Sequence, residues 1–438
     1  MKWFKPSPLY LAMGMSLGLA SASSLAAPGL VDVYQMAQIH DAKLAQAQAT
    51  FKAEQEIMAQ ARSLLMPKIN ASATLNQNSS NLDSSNGNDQ VLAIGLEQTL
   101  FNKEAFSRYD QAKSQLVAAE LKYRLAEQDL IVRVSQAYFD VLLAEQDLRL
   151  AKSKEEADKI QWEKAQASAD VGLASRTDVL QARSSYDLSI SNRISAENAL
   201  DKAYEALTKL TGKSIREVKQ LMLSVVLKPQ KLDKTALELQ AEANNLGVRS
   251  AQQQSEVAAE EVVAQKSGHW FNVKLNAQVA DYSYSGYSTA KPDMQNTTVG
   301  VQLSVPLFSG GLTSSQVSEA RFNSQAANIA VRDAREQARL DARVQAQNLE
   351  RGYALVAALR EAVKSGEAFL EAAEEGYRVG LRNMIDVVTA RANLFDAQSN
   401  LAEALHGLLL TQLQLEGTLG DLTVEDLRDL DQLLTQPN

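Results

Sequence analysis

The polar residues best placed for chemistry come as two copies of one pattern. Val171-Gly172-Leu173, Asp178-Val179 and Ala182-Arg183 recur 208 residues later as Val379-Gly380-Leu381, Asp386-Val387 and Ala390-Arg391. Each glycine stands where a long helical pattern stops, the position at which a left-handed turn closes a helix. Ser175 and Asp178, like Asn383 and Asp386, are three apart, the spacing of a helix N-cap and the carboxylate that reaches back to it. At the positive end of a helix dipole each such aspartate is worth about 0.3–1 kcal/mol. Reaction chemistry is missing from the pattern. The chain has no Cys, so disulfides, thiolate metal sites, cysteine nucleophiles and a lipidated N-terminal cysteine are excluded. Its three histidines, His40, His269 and His406, fall at no metal-ligand spacing, and no phosphate-binding glycine loop occurs. Glu374 and Glu375 lie on a helical pattern as a solvated face. The expectation is therefore a protein that is not an enzyme, with no catalytic residue, cofactor or metal.

The elements that carry these turns are themselves duplicated. Leu100-Phe101 recurs as Leu307-Phe308, and Lys68-Ile69-Asn70-Ala71 as Lys274-Leu275-Asn276-Ala277, in the same order as the turn motifs. A period near two hundred residues is too long for a solenoid repeat and reads as a tandem duplication. The first repeat spans 27–212, with strands at about 68–82 and 90–101, a long helix at about 102–171 and a helix at about 175–211. A linker covers 213–232. The second repeat spans 233–420, with strands at about 271–284 and 296–308, a long helix at about 311–379 and a helix at about 383–419. An acidic tail, 421–438, follows with no assigned function. Residues 31–66 read as one helix that ends at Pro67, which cannot continue it.

From Asn102 to Val171 there is neither Gly nor Pro, and Phe106, Tyr109, Ala112, Leu116, Ala119, Tyr123, Ala126 and their successors step by three or four. That heptad seam implies a helix roughly 100 Å long. Its many alanines favour close neighbours and a wall of helices, although a rod-like dimer would use the same seam. The strands add a second pattern. Val299, Val301, Leu303 and Val305 alternate with Thr298, Gly300, Gln302 and Ser304, and Val273, Leu275, Ala277 and Val279 with Asn272, Lys274, Asn276 and Gln278. Runs of about ten residues with one apolar and one polar face suit a transmembrane barrel; a soluble sheet with one buried face alternates likewise. Trp270 and Phe271 at one end, with Tyr282, Tyr284 and Tyr287 at the other, are placed as interfacial girdles. Four strands cannot enclose a pore, because the smallest bacterial barrels need about eight, so a barrel here must be built from several chains.

Residues 1–26 have the charged, greasy, then small order of a secretory signal peptide, with Lys2 and Lys5 before the run Leu9 to Ala20. Over the 438 residues, 44 Lys and Arg face 53 Asp and Glu, for a net charge of −9, which argues against nucleic acid as a partner.

The paired Val-Gly-Leu-x-x-x-x-Asp-Val-x-x-Ala-Arg motifs, the duplicated helix-strand-strand-long-helix-helix order and Val305-Pro306-Leu307-Phe308 with its following glycines resemble the TolC-type outer-membrane efflux and type I secretion proteins. The resemblance covers nearly the whole exported chain. It implies a mainly α fold with a transmembrane β-barrel: a homotrimer whose twelve strands cross the outer membrane, continued by a helical α-barrel through the periplasm. It further implies contact with outer-membrane lipid, a periplasmic membrane-fusion adaptor, and an inner-membrane ABC or proton-driven transporter. Docking would occur at the tip turns Gly172, Leu173, Gly380 and Leu381. The family's gate links match Thr177, Asp178, Tyr377 and Arg382, with an Arg382–Asp178 pair among the contacts to look for, and its constricting acidic ring matches Asp386. Thr389 occupies the second acidic-ring position and Thr99 stands where the second repeat has Pro306, two departures from the family pattern. A non-channel periplasmic coiled-coil scaffold or adaptor is the alternative reading.

Overall fold

The computed structural model describes residues 27–81, 86–222, 225, 229 and 232–435; the expected signal peptide lies outside the described residues. The first half runs α1 (Leu30–His40), α2 (Ala42–Ser63), β1 (Lys68–Asn78), β2 (Gly87–Asn102), α3 (Lys103–Asp170) and α4 (Arg176–Thr211). After a short strand β3 (Gln220–Leu221), the second half repeats the order as α5 (Lys234–Asn244), α6 (Leu246–Lys266), β4 (Asn272–Ser285), β5 (Met294–Ser304), α7 (Leu312–Arg378) and α8 (Met384–Leu419). α9 (Val424–Asp431) and β6 (Leu434–Thr435) close the chain. The long helices α3 and α7 have 68 and 67 residues and so extend roughly 100 Å each.

The stretch expected as one helix over 31–66 is two helices. Asp41 breaks it: its carboxylate caps α2 by accepting from the Leu44 amide at 2.8 Å and accepts from the two terminal nitrogens of the Arg133 guanidinium, at 2.8 and 2.9 Å. Those Arg133 bonds hold the Asp41 carboxyl below its ordinary range. Asn245 makes the same break in the second half, accepting from Gly247 and Val248.

The four long strands form one antiparallel sheet in the order β1-β2-β4-β5. Its register pairs Ala71 with Ile94, Ile94 with Val279 and Val279 with Thr297, while Ala277 faces Val299 and Leu275 faces Val301. Residues directly opposite share a face, so Ile69, Leu75, Leu92, Ile94, Val279, Val299, Val301 and Leu303 all project from the same side, and each is exposed in the single chain. The other side carries Asn70, Ser72, Thr74, Asn276, Gln278 and Thr298, with Lys274 bonded to Glu97 at 3.0 Å. β1 and β5 each leave one edge unpaired among the described residues.

β5 stops at Ser304, ahead of the 308 expected, because Pro306 has no N–H to give a ladder. The first half makes the corresponding turn into helix without a proline. The register shifts between Thr99 and Phe101, Phe101 stacks on Phe271 at 4.9 Å, and Asn102 caps α3 through the Ala105 amide.

Below the sheet α2 and α6 flank the upper part of α3, and α6 lies against α7; farther down α4 packs along α3 and α8 along α7. The largest core sits between these tiers and joins Leu30 and Val33 of α1, Leu130, Val134 and Tyr138 of α3, Leu207 of α4, Leu413 of α8, and Leu427 and Leu430 of α9. Tyr138 is fully buried and donates to the Lys219 carbonyl at 2.9 Å. Asp431 accepts from the Leu30 amide and from the Lys219 ammonium, both at 2.7 Å, and Leu434 of β6 pairs with Leu221 of β3. The tail, which the sequence left without a role, thus ties the start of the chain and the linker to the middle of α3.

Candidate functional site: the paired helical tips

At the end farthest from the sheet, each long helix reverses into its partner through the same turn. α3 ends when Gly172 takes φ 78°, with the Leu173 amide donating back to the Ser168 carbonyl at 2.8 Å. α7 ends likewise: Gly380 takes φ 78° and the Leu381 amide reaches the Gly376 carbonyl at 2.8 Å. This six-to-one bond with a left-handed glycine satisfies carbonyls that a helix end leaves open. The next helix is then capped reciprocally. The Ser175 hydroxyl accepts from the Asp178 amide at 3.1 Å while the Asp178 carboxylate accepts from the Ser175 amide at 3.0 Å; Asn383 and Asp386 do the same at 2.9 and 3.3 Å. The result is two rigid turns, each presenting one leucine. Leu173 is 84% exposed and Leu381 83%, with Val171 and Val379 beside them, also exposed.

The residues matched to a gate lie just behind these turns. Tyr377 is half-buried and joins two small clusters, one of Ala165, Ala182 and Met384, the other of Ala373, Val387 and Ala390. It therefore bridges the α3/α4 hairpin and the α7/α8 hairpin. Burial, and then the Asp178 carboxylate across that boundary, raise its hydroxyl above the ordinary tyrosine pKa, which places Tyr377 and Asp178 in one electrostatic neighbourhood. Thr177 is exposed on the first turn of α4. Arg382 does not pair with Asp178 within the chain. Its guanidinium is 3.9 Å from Asp386 and lies over the Phe369 ring, with 6.0 Å to the centroid. The reason is spacing: Arg382 and Asp386 stand four apart where α8 begins, whereas Asp178 belongs to the other hairpin.

Three contacts here were not read from the sequence. Gln161 of α3 bonds the Met384 sulfur, Trp162 stacks on Tyr186 at 5.7 Å, and Arg391 of α8 binds Glu374 of α7 at 2.6 Å. Only the last had a visible signal, the Ala-Arg pair that closes both copies of the motif.

With this geometry in place, the comparisons agree. The chain matches the family described as outer membrane efflux protein over residues 33–213 and 238–421, one stretch in each half. It is 30% identical to outer membrane protein TolC of Escherichia coli (strain K12), over 98% of this chain and 89% of that one. It is 26% identical to alkaline protease secretion protein AprF of Pseudomonas aeruginosa, over 91% of this chain and 86% of that one. The solved outer membrane channel CmeC of Campylobacter jejuni shares its fold, with a TM-score of 0.79 at 17% identity, covering 99% of this chain and 98% of the other. Duplicated strand pairs, paired tips and matched length converge on one conclusion: the chain belongs to the outer membrane efflux protein family of TolC-like channels.

Proposed function

We propose that three copies of this chain form the passive exit duct of a tripartite export machine, closed at the helical tips until a periplasmic adaptor and an inner-membrane ABC or proton-driven transporter engage them. The observation that carries the reading is the four-stranded sheet with one apolar face and two unpaired edges, continuous with helices long enough to reach deep into the periplasm. Three such sheets joined edge to edge give a twelve-stranded wall whose apolar face meets outer-membrane lipid. Phe101, Trp270 and Phe271 cluster at its lower rim and Tyr284 and Tyr287 at its upper rim, as interfacial aromatics do. Energy comes from the inner-membrane partner.

Adaptor docking uses the Gly172-Leu173 and Gly380-Leu381 turns, and the gate consists of Thr177, Asp178, Tyr377, Arg382 and Asp386. Within one chain this gate is light. Arg382 and Asp386, half-exposed at 3.9 Å, stand four apart in one hairpin and so do not hold the two hairpins together. A gate of this weight yields to docking without large forces. The absence of a lipid-bearing cysteine and the likeness to a protease secretion protein favour exported protein as a cargo, alongside small-molecule efflux. Arg382→Ser combined with Tyr377→Phe is expected to raise single-channel conductance in planar bilayers. Unchanged conductance rejects the gate, and no conductance from the unaltered protein rejects the duct.

A further inference from the structure

Behind the tip, α3, α7 and α8 enclose a cleft of about 550 Å³ lined by Ile160, Gln161 and Lys164 on one side and Glu371, Glu375 and Val387 on the other. Arg391 projects into it from α8. Its side chain is only 12% exposed; of its two terminal nitrogens, Nη2 holds Glu374 and Nη1 is buried without a partner. A buried guanidinium donor left unpaired is costly, so a second acceptor within reach would be taken up. Glu375 is already paired with Arg378 on its own helix. Glu371 pairs with no cation among the described residues, and it precedes Glu374 by three residues, about 4.5 Å along the axis.

The duplication supplies an internal control. Arg183 is the copy of Arg391 in the first half, yet it is 63% exposed and only 3.8 Å from Asp187 on its own helix. At the position of Glu374 the first half has Gln166, which bonds Asp170 instead. The motif arginine therefore ties α7 to α8 in the second half and does not tie α3 to α4 in the first, where Arg193 of α4 binds Glu155 of α3 instead.

We infer that Arg391 is a further gate residue: its bond to Glu374 fixes the closed packing of α7 on α8 behind the rigid turn, and when that bond is released on opening the Arg391 side chain swings to Glu371 in the same cleft. This rests on the tip being the gate. Arg391 acts by positioning the hairpin and touches no cargo.

The test is single-channel recording of the full-length protein, with the Arg382→Ser, Tyr377→Phe double variant run in parallel. Arg391→Gln and Glu374→Gln are each expected to raise the open fraction about fivefold, with no further gain when combined, while Arg183→Gln leaves it unchanged. In the double-variant background, Glu371→Gln shortens open dwell times about fivefold and Glu374→Gln does not. If the double variant opens but Arg391→Gln and Glu374→Gln behave like the unaltered channel, this assignment falls and the gate stands. If none of them opens, the gate itself falls. Glu374→Gln preserves volume and keeps the test decisive should Arg391→Gln fail to assemble.

Discussion

Leu173 and Leu381 permit a sharp separation of docking from folding. At 84% and 83% exposure they pack against almost nothing in the chain, and a Cβ placed on Gly172 or Gly380 beside them would meet no atom within 4 Å. Replacing both leucines with Asn should therefore change stability by less than about 0.5 kcal/mol, as for surface sites that touch nothing. An adaptor that buries each leucine gains about 2 kcal/mol from it, within the range for a fully buried aliphatic side chain. Losing one leucine then weakens docking roughly 30-fold at each tip. The assay is a titration of purified adaptor against the detergent-solubilised channel, with thermal unfolding of both proteins as the control. Affinity that survives Leu173→Asn with Leu381→Asn refutes the docking argument, and so does a drop in thermal stability that accounts for the lost binding. Gly380→Ala makes a useful contrast, because a side chain at φ 78° strains the turn by about 1 kcal/mol while the leucine remains.

Two further outcomes concern the middle of the molecule. His406 is buried, stacks on Phe139 at 5.8 Å, and leaves its Nδ1 unpaired; burial pushes its pKa down to about 4. The unfolded chain takes up that proton near pH 6.5 and the folded chain resists it until about 4, so stability should fall as pH drops through that window, by up to about 1.4 kcal/mol per unit per chain. His406→Leu should flatten the melting temperature between pH 6.5 and 4, and an unaltered slope would show that other groups set it. Asp431→Asn removes the charge that Lys219 and the Leu30 amide share, both groups of the ion pair being about one-fifth exposed. A loss of about 1–3 kcal/mol is expected, read as a lower melting temperature with conductance unchanged; an unshifted melting point would mean that the tail contributes nothing there.

Much of this architecture was legible because each signal was local and doubled. Gly172 with Gly380, and Ser175-Asp178 with Asn383-Asp386, are short-range patterns whose geometry depends on neighbours in the chain. The alternation along β4 and β5 is equally local. What escaped the sequence depends on distant partners. Asp41 sits in an Ala/Gln-rich run that propensity alone would keep helical, and Arg133, 92 residues away, is one of the partners that hold the break. The tail looked like an acidic leftover because its partners, Leu30 and Lys219, come from the first residues of the fold and from the linker. At the tip, the family resemblance paired Arg382 with Asp178, but Asp386, four residues on from Arg382 in the first turn of α8, is nearer. Arg391 was visible as a repeated residue, and only packing against Glu374 distinguishes it from Arg183.

The two unpaired sheet edges carry a genetic consequence. In the proposed trimer every finished wall mixes strands from three polypeptides, so one faulty subunit spoils the other two. In a cell making equal amounts of intact and defective chains, only about one assembly in eight would hold three sound copies. A lesion on β1 or β5 that still permits joining should therefore act dominantly over the normal allele, whereas one that prevents joining should be silent beside it.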